Sequence, residues 1–146
     1  MTNHILLIED DRNLREAVQS YMLRRGHRVT ACAAISEARE VMVHVEAAIA
    51  PDTVVSDVRL PDGNGAEFYL EQSRRFPGIN WVLMSGDPNL VHLTSQLAKP
   101  CGAGVCAVLE KPLSLGVLER FIALHAQSNG TALGTGRPLD AAAPRA

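Results

Sequence analysis

Short apolar runs alternate with stretches of helical periodicity along most of the chain. His4 to Ile8 (HILLI) is apolar on both alternating sets of positions, the pattern of a strand buried on two faces. Leu14, Ala17, Val18, Tyr21 and Met22 then recur at helical spacing, and Gly26 marks where that helix stops. Arg28 to Cys32 (RVTAC) alternates more weakly and reads as a second strand. Ser36 is the expected N-cap of a second helix, with Ala38, Val41, Met42, Val45 and Ile49 on its apolar face and Pro51 ending it. Thr53 to Ser56, Asn80 to Met84 and Val105 to Leu109 supply three more strands. Between them come a helix over Ala66 to Arg75, closed by Pro77 and Gly78, and a fourth over Leu90 to Leu97. Ser114 caps a last helix carrying Leu115, Leu118, Phe121, Ile122 and His125.

Five strand–helix units in succession imply a parallel sheet, because each right-handed crossover lays its helix on one face and both faces end up covered. Residues 1–127 form one such α/β domain on this reading. From residue 128 the sequence turns to small and polar residues, with Leu133 and Leu139 the only large apolar ones, so 128–146 reads as a flexible tail or linker stub.

Composition narrows the classes. The chain has 146 residues, 47% hydrophobic and 21% charged, with 14 basic and 16 acidic side chains for a formal charge of −2. That balance disfavours a whole-surface grip on nucleic acid or anionic lipid. No apolar run approaches the ~20 residues that span a bilayer, and the N-terminus lacks a basic leader with a long apolar stretch, so a cytoplasmic location is expected. Cys32, Cys101 and Cys106 have no CxxC spacing, and the five histidines form no HxxxH or HExxH pair, which disfavours a disulfide framework or zinc site.

The chemistry collects at the ends of strands, where open parallel sheets bind ligands. Glu9, Asp10 and Asp11 follow the first strand, and Asp57 closes the third within VVSDVRLPDGNG. Ser85 follows the fourth in MSGD, and Glu110, Lys111 and Pro112 follow the fifth in LEKPL. Singly, each has a plain explanation: an acidic run suits a helix N-terminus, SGDP suits a turn, and a lysine before a proline suits a surface loop. Asp57 is harder to dismiss, since a carboxylate at a buried strand end needs a partner or a metal. Glu9, Asp10 and Asp57 converging would repel one another unless a hard cation such as Mg²⁺ sat among them. A lysine and a serine hydroxyl beside them would suit a phosphoryl group.

With these motifs in view, the chain resembles the receiver domain of two-component response regulators. The resemblance rests on ILLIEDD, VVSDVRLPDGNG, VLMSGD and VLEKPL in that order, and it covers residues 4 to about 127. It implies a flavodoxin-like (βα)5 sandwich, with a five-stranded parallel sheet in the order 2-1-3-4-5 and helices on both faces. It further implies that Asp57 accepts a phosphoryl group from a histidine kinase or histidine phosphotransfer protein. Glu9, Asp10, Asp57 and the backbone carbonyl of Arg59 would hold Mg²⁺. Ser85 would be the hydroxyl switch residue, Lys111 the charge partner, and the bond before Pro112 cis. Output would pass to a downstream protein through the face of the fourth helix, fifth strand and fifth helix, which could also serve a homodimer. No direct nucleic-acid or membrane binding by this chain is expected.

Two features depart from the family pattern. Val108 stands three residues before Lys111, where a switch aromatic is common, and the LAKPCGAG segment differs from the usual fourth helix. Arg59 and Asp87, each two residues beyond Asp57 and Ser85, would flank the phosphoryl group and, paired across the site, would hinder attacking water. Two other readings stand beside the receiver: a pseudo-receiver acting as a constitutive binding surface, and a Mg²⁺-dependent phosphatase with Asp57 as nucleophile. The second lacks an acid two residues after Asp57, where Arg59 sits.

Overall fold

The apolar runs pair side by side. In the computed structural model, which describes residues 3–45, 50–89 and 106–124, β1 (His4–Ile8) is flanked by β2 (Arg28–Cys32) and β3 (Thr53–Asp57). Outside β3 lie β6 (Asn80–Ser85) and then β7 (Cys106–Glu110). All four pairings are parallel and the order is β2-β1-β3-β6-β7. This is the 2-1-3-4-5 order expected, because β4 (Arg59–Leu60) and β5 (Gly63–Asn64) form a separate two-residue antiparallel ribbon.

Alternation sends neighbouring side chains to opposite faces. Leu6, Ile8, Val54, Trp81 and Leu83 meet α2 (Ile35–Val43) and α3 (Gly65–Arg75) on one side. Ile5, Leu7, Val55, Val82 and Met84 meet α1 (Arg12–Arg24) and the helical residues 115–124 on the other. Each fully buried Leu or Ile contributes about 1.5–3 kcal/mol, so the two cores together fix the sheet's register. A slip of one residue would exchange them.

The helix ends show where local sequence decided and where it did not. Asp11 caps α1 by accepting from Asn13 and Leu14 N–H, and Gly26 follows at φ 90°, a backbone region glycine enters freely. Asn64 caps α3 through Ala66 and Glu67 N–H, and Ser114 accepts from Val117 N–H at 3.3 Å. For α2 the expected Ser36 cap is wrong. The helix starts at Ile35, its N-cap Ala34 offers no side-chain bond, and Asp62 of the ribbon turn accepts from Ile35 and Ser36 N–H at 2.9 and 2.8 Å. A carboxylate 26 positions away in sequence wins because the ribbon delivers a full charge to the positive helix end. α2 also ends early, at Val43 with His44 as its C-cap. The expected fourth helix over Leu90 to Leu97, and the tail from 128, lie outside the described residues.

Those two N–H bonds hold the Asp62 carboxyl below its ordinary range. A carboxyl with a lowered folded pKa contributes stability above its unfolded value, and that contribution disappears as pH falls through the folded value. Asp62→Ala is therefore expected to raise amide hydrogen exchange at Ile35 and Ser36 several-fold at neutral pH. The gap to wild type should close in acid; equal protection in the two proteins at neutral pH would rule the cap out.

Candidate functional site

The register brings the strand ends level. Ile8 lies opposite Cys32 and Ser56, Asp57 opposite Met84, and Ser85 opposite Glu110. The residues that follow therefore gather at one edge of the sheet. Glu9 is almost wholly buried at 1% exposure, Asp57 is 7% and Ser85 3% exposed, and Asp10 stands open to solvent. One carboxylate oxygen each from Glu9, Asp10 and Asp57 lies within 4.8 Å of the others.

Lys111 answers two of these charges. Its Nζ donates to Glu9 Oε1 at 2.8 Å and to Asp57 Oδ2 at 2.9 Å, while its own N–H holds Ser85 carbonyl oxygen at 2.8 Å. The Lys111–Pro112 peptide is cis. Glu9 Oε2 accepts from Asp11 N–H at 3.0 Å, and Glu9 N–H donates to Cys32 carbonyl oxygen at 3.0 Å. Burial raises the Glu9 pKa, and the bonds from Lys111 and Asp11 only partly oppose it. Burial alone would lower Lys111, but the bonds to Glu9 and Asp57 outweigh it and the ammonium is held more tightly than usual. One ammonium among three carboxylates leaves an excess of negative charge, an environment that attracts a further cation.

Asp57 is held by its backbone. Ser56 Oγ donates to the Asp57 carbonyl at 2.9 Å, Val58 N–H donates to Met84 carbonyl oxygen at 2.9 Å, and Gly65 N–H donates to Val58 carbonyl oxygen at 2.8 Å. Ser85 Oγ accepts from Asp87 N–H at 3.1 Å. Arg59 Nη2 reaches Asp87 Oδ2 at 3.3 Å, joining the segments after β3 and β6, with Arg59 largely exposed and Asp87 half-buried. Val108 is half-buried against the α2 and α3 core.

Three contacts escaped the sequence reading. These are the Glu9–Lys111 bond, the Asp62 cap, and Arg15, whose Nη1 donates to the main-chain carbonyls of Glu9 and Asp10. Only Arg15 had a local signal, its place one helical turn after Asp11.

Residues 5–123 match the family model described as the response regulator receiver domain. The chain belongs to this family. Receiver domains are signalling modules of two-component systems, generally without enzymatic turnover, that meet kinases and downstream targets. Among curated proteins it is similar to the response regulator protein FleR of Pseudomonas aeruginosa, at 29% identity over 126 residues covering 86% of this chain and 25% of the relative. The transcriptional activator protein PfeR of the same organism is 34% identical over 117 residues, covering 79% of this chain and 35% of the relative. The chain thus spans about a quarter to a third of the length of these relatives. Among solved structures, a CheY-like receiver domain protein from Methanospirillum hungatei superposes with a TM-score of 0.77 at 20% identity, covering 90% of this chain and 98% of the other. No described helix is long and apolar enough to cross a membrane.

Proposed function

We propose that this receiver domain takes a phosphoryl group onto Asp57 from the phosphohistidine of a kinase or histidine phosphotransfer protein. The observation that supports it best is Lys111 bridging Asp57 and Glu9 beside a third carboxylate, Asp10. Asp57 Oδ attacks phosphorus, the P–N bond breaks, and its electron pair stays on the imidazole nitrogen. Lys111 is placed to follow the charge from the Asp57 carboxylate to a phosphoryl oxygen. Ser85 Oγ already accepts from Asp87 N–H, so its own hydroxyl hydrogen is available to a phosphoryl oxygen.

Glu9, Asp10 and Asp57 offer hard oxygen donors close enough together for one small cation, and with the Arg59 backbone carbonyl they are the residues that would hold Mg²⁺. Bound there, Mg²⁺ would neutralise the oxygens of the incoming phosphate. Val108 cannot swing a ring between two environments, so the change passes through Ser85 and the loops or through a repacked output face. Val117 and Leu124, exposed on helical residues 115–124, give the C-terminal helix apolar contacts for a protein target or second copy. We place the chain in the cytoplasm, where such kinases present their phosphohistidine.

Incubation with acetyl phosphate and Mg²⁺, read by intact mass, tests the proposal. A single phosphoryl adduct in wild type and none in Asp57→Ala is expected. Absence of an adduct in wild type would leave a constitutive binding module, and sustained turnover of phosphoesters would make it a phosphatase. Once the donor is removed, Arg59→Ala and Asp87→Ala should lose the adduct faster than wild type, because their ion pair spans the loops beside Asp57 and Ser85. Unchanged half-lives would remove that tuning role.

A further inference from the structure

We infer that Arg15 is a positioning residue for the cation site: it fixes the main chain at Glu9 and Asp10 so that the Asp10 carboxylate stays turned toward Glu9 and Asp57. The inference rests on reading that acidic cluster as a Mg²⁺ site.

Glu9 needs little help. Its N–H is bonded to Cys32 of β2, and its two carboxylate oxygens are taken by Lys111 and Asp11. Asp10 has nothing comparable. It is exposed, and among the described residues no hydrogen bond or ion pair to its carboxylate is found, so its aim is set by the backbone that bears it. The side chain that holds this backbone is Arg15, whose Nη1 donates to Glu9 carbonyl oxygen at 2.9 Å and, more weakly, to Asp10 carbonyl oxygen at 3.4 Å. Arg15 is itself anchored. It sits in the first turn of α1, its N–H bonded to Asp11 carbonyl oxygen at 2.8 Å in a turn that Asp11 also caps. The guanidinium makes no salt bridge with a carboxylate among the described residues. Its bonds, both from Nη1, go to two carbonyls of the cluster, and the planar, always charged guanidinium holds that donor in a fixed orientation that a flexible ammonium would not.

Two effects of removing Arg15 oppose each other, which makes the test sharp. As a cation near three carboxylates, it repels Mg²⁺, so its loss through charge alone would tighten binding. As a clamp on the ligand-bearing loop, it preorganises the donors, so its loss would weaken binding. Groups that orient metal ligands typically cost tenfold or more in affinity when removed. The longer of the two bonds here puts the expectation at the low end, about tenfold weaker for Arg15→Ala.

The experiment is a Mg²⁺ titration of the full chain followed by backbone amide shifts. Wild type, Arg15→Ala, Arg15→Lys, Arg12→Ala and Asp10→Asn are compared, with thermal midpoints in EDTA to confirm that each is folded. Weaker binding in Arg15→Ala, partial recovery in Arg15→Lys and wild-type binding in Arg12→Ala would support the inference. Arg12 pairs with Glu16 on the same helix turn and controls for a general effect on α1. Unchanged or tighter binding in Arg15→Ala, with saturable binding in wild type and its loss in Asp10→Asn, would overturn the role of Arg15 alone. No saturable response in wild type would overturn the metal site and this inference with it.

Discussion

A Gly65→Ala variant is expected to lose about 3 kcal/mol of stability or more. Gly65 opens α3 shortly after Asp57, and its N–H is bonded to Val58 carbonyl oxygen. A Cβ at this position would fall against the Asp57 carbonyl oxygen, with the Asp57 carbonyl carbon at 3.1 Å and Ser56 Oγ at 2.8 Å. The serine hydroxyl could rotate away, at the cost of its bond to Asp57 carbonyl oxygen, but the carbonyl itself is main chain at the end of a central strand. Relief requires α3 or the end of β3 to move, which shifts Asp57 as well. Urea unfolding followed by circular dichroism should show a lower midpoint at unchanged slope, and phosphorylation by acetyl phosphate should slow even where the protein is folded. Gly116→Ala is the control. Its Cβ would meet Tyr21 Oη at 3.8 Å and Ser114 Oγ at 3.9 Å, ordinary contacts, within helical residues. A Gly65→Ala midpoint no lower than that of Gly116→Ala would contradict the close approach.

The second large effect is expected at Lys111. Lys111→Met leaves the Glu9 carboxylate, almost fully buried, without its ammonium and leaves Asp57 with a neighbour of like charge. Breaking a fully buried pair costs about 3–5 kcal/mol and an exposed one about 0–1. The Lys111 side chain is 22% exposed, so about 2 kcal/mol at neutral pH is expected. Both partners have raised folded pKa values, which fixes the pH dependence. Glu9 contributes its full stability below its unfolded pKa and loses it as pH rises through the folded value, so protonation in acid narrows the gap between variant and wild type. Lys111 contributes below its unfolded pKa and loses that contribution as pH rises through its own raised value, so the gap narrows again in strong alkali. The stability difference should therefore be widest between the two titrations. Mg²⁺ should restore more stability to Lys111→Met than to wild type, because the cation takes over the vacated charge role. A difference that stays flat from about pH 4 to about pH 10 would sink this account.

The legible parts of the sequence were those whose burial is uniform. HILLI, VVSD and NWVLM lack the regular polar alternation that a solvent-facing strand would show, their few polar residues falling at the strand ends, and they are the three central strands. The strand ends were legible too, since a run that stops at a carboxylate or lysine places that group by simple counting. Contacts between distant segments were hidden. Ser36 looked like a cap because the true one, Asp62, lies in a turn whose proline and glycine signal only a change of direction. The ribbon of Arg59–Leu60 and Gly63–Asn64 is too short for any periodicity. Glu9 read as one of three carboxylate ligands for a metal, yet the fold gives it Lys111 as well, a pairing across 102 positions that no local pattern announces.

Trp81 is the chain's single tryptophan, and its place determines what intrinsic fluorescence can report. It sits four residues before Ser85 on β6, about 13 Å along the strand, 1% exposed and edge-on to Phe68 and Tyr69 with centroids 5.9 and 5.3 Å away. Its emission should be that of a dry indole and should shift only when the α3 side of the sheet comes apart. A cation or phosphoryl group arriving at the far end of the strands is expected to leave its immediate surroundings of Phe68 and Tyr69 in place. Native emission should thus report unfolding with little response to ligands, and a binding assay by light calls for a second indole introduced beside the acidic loop.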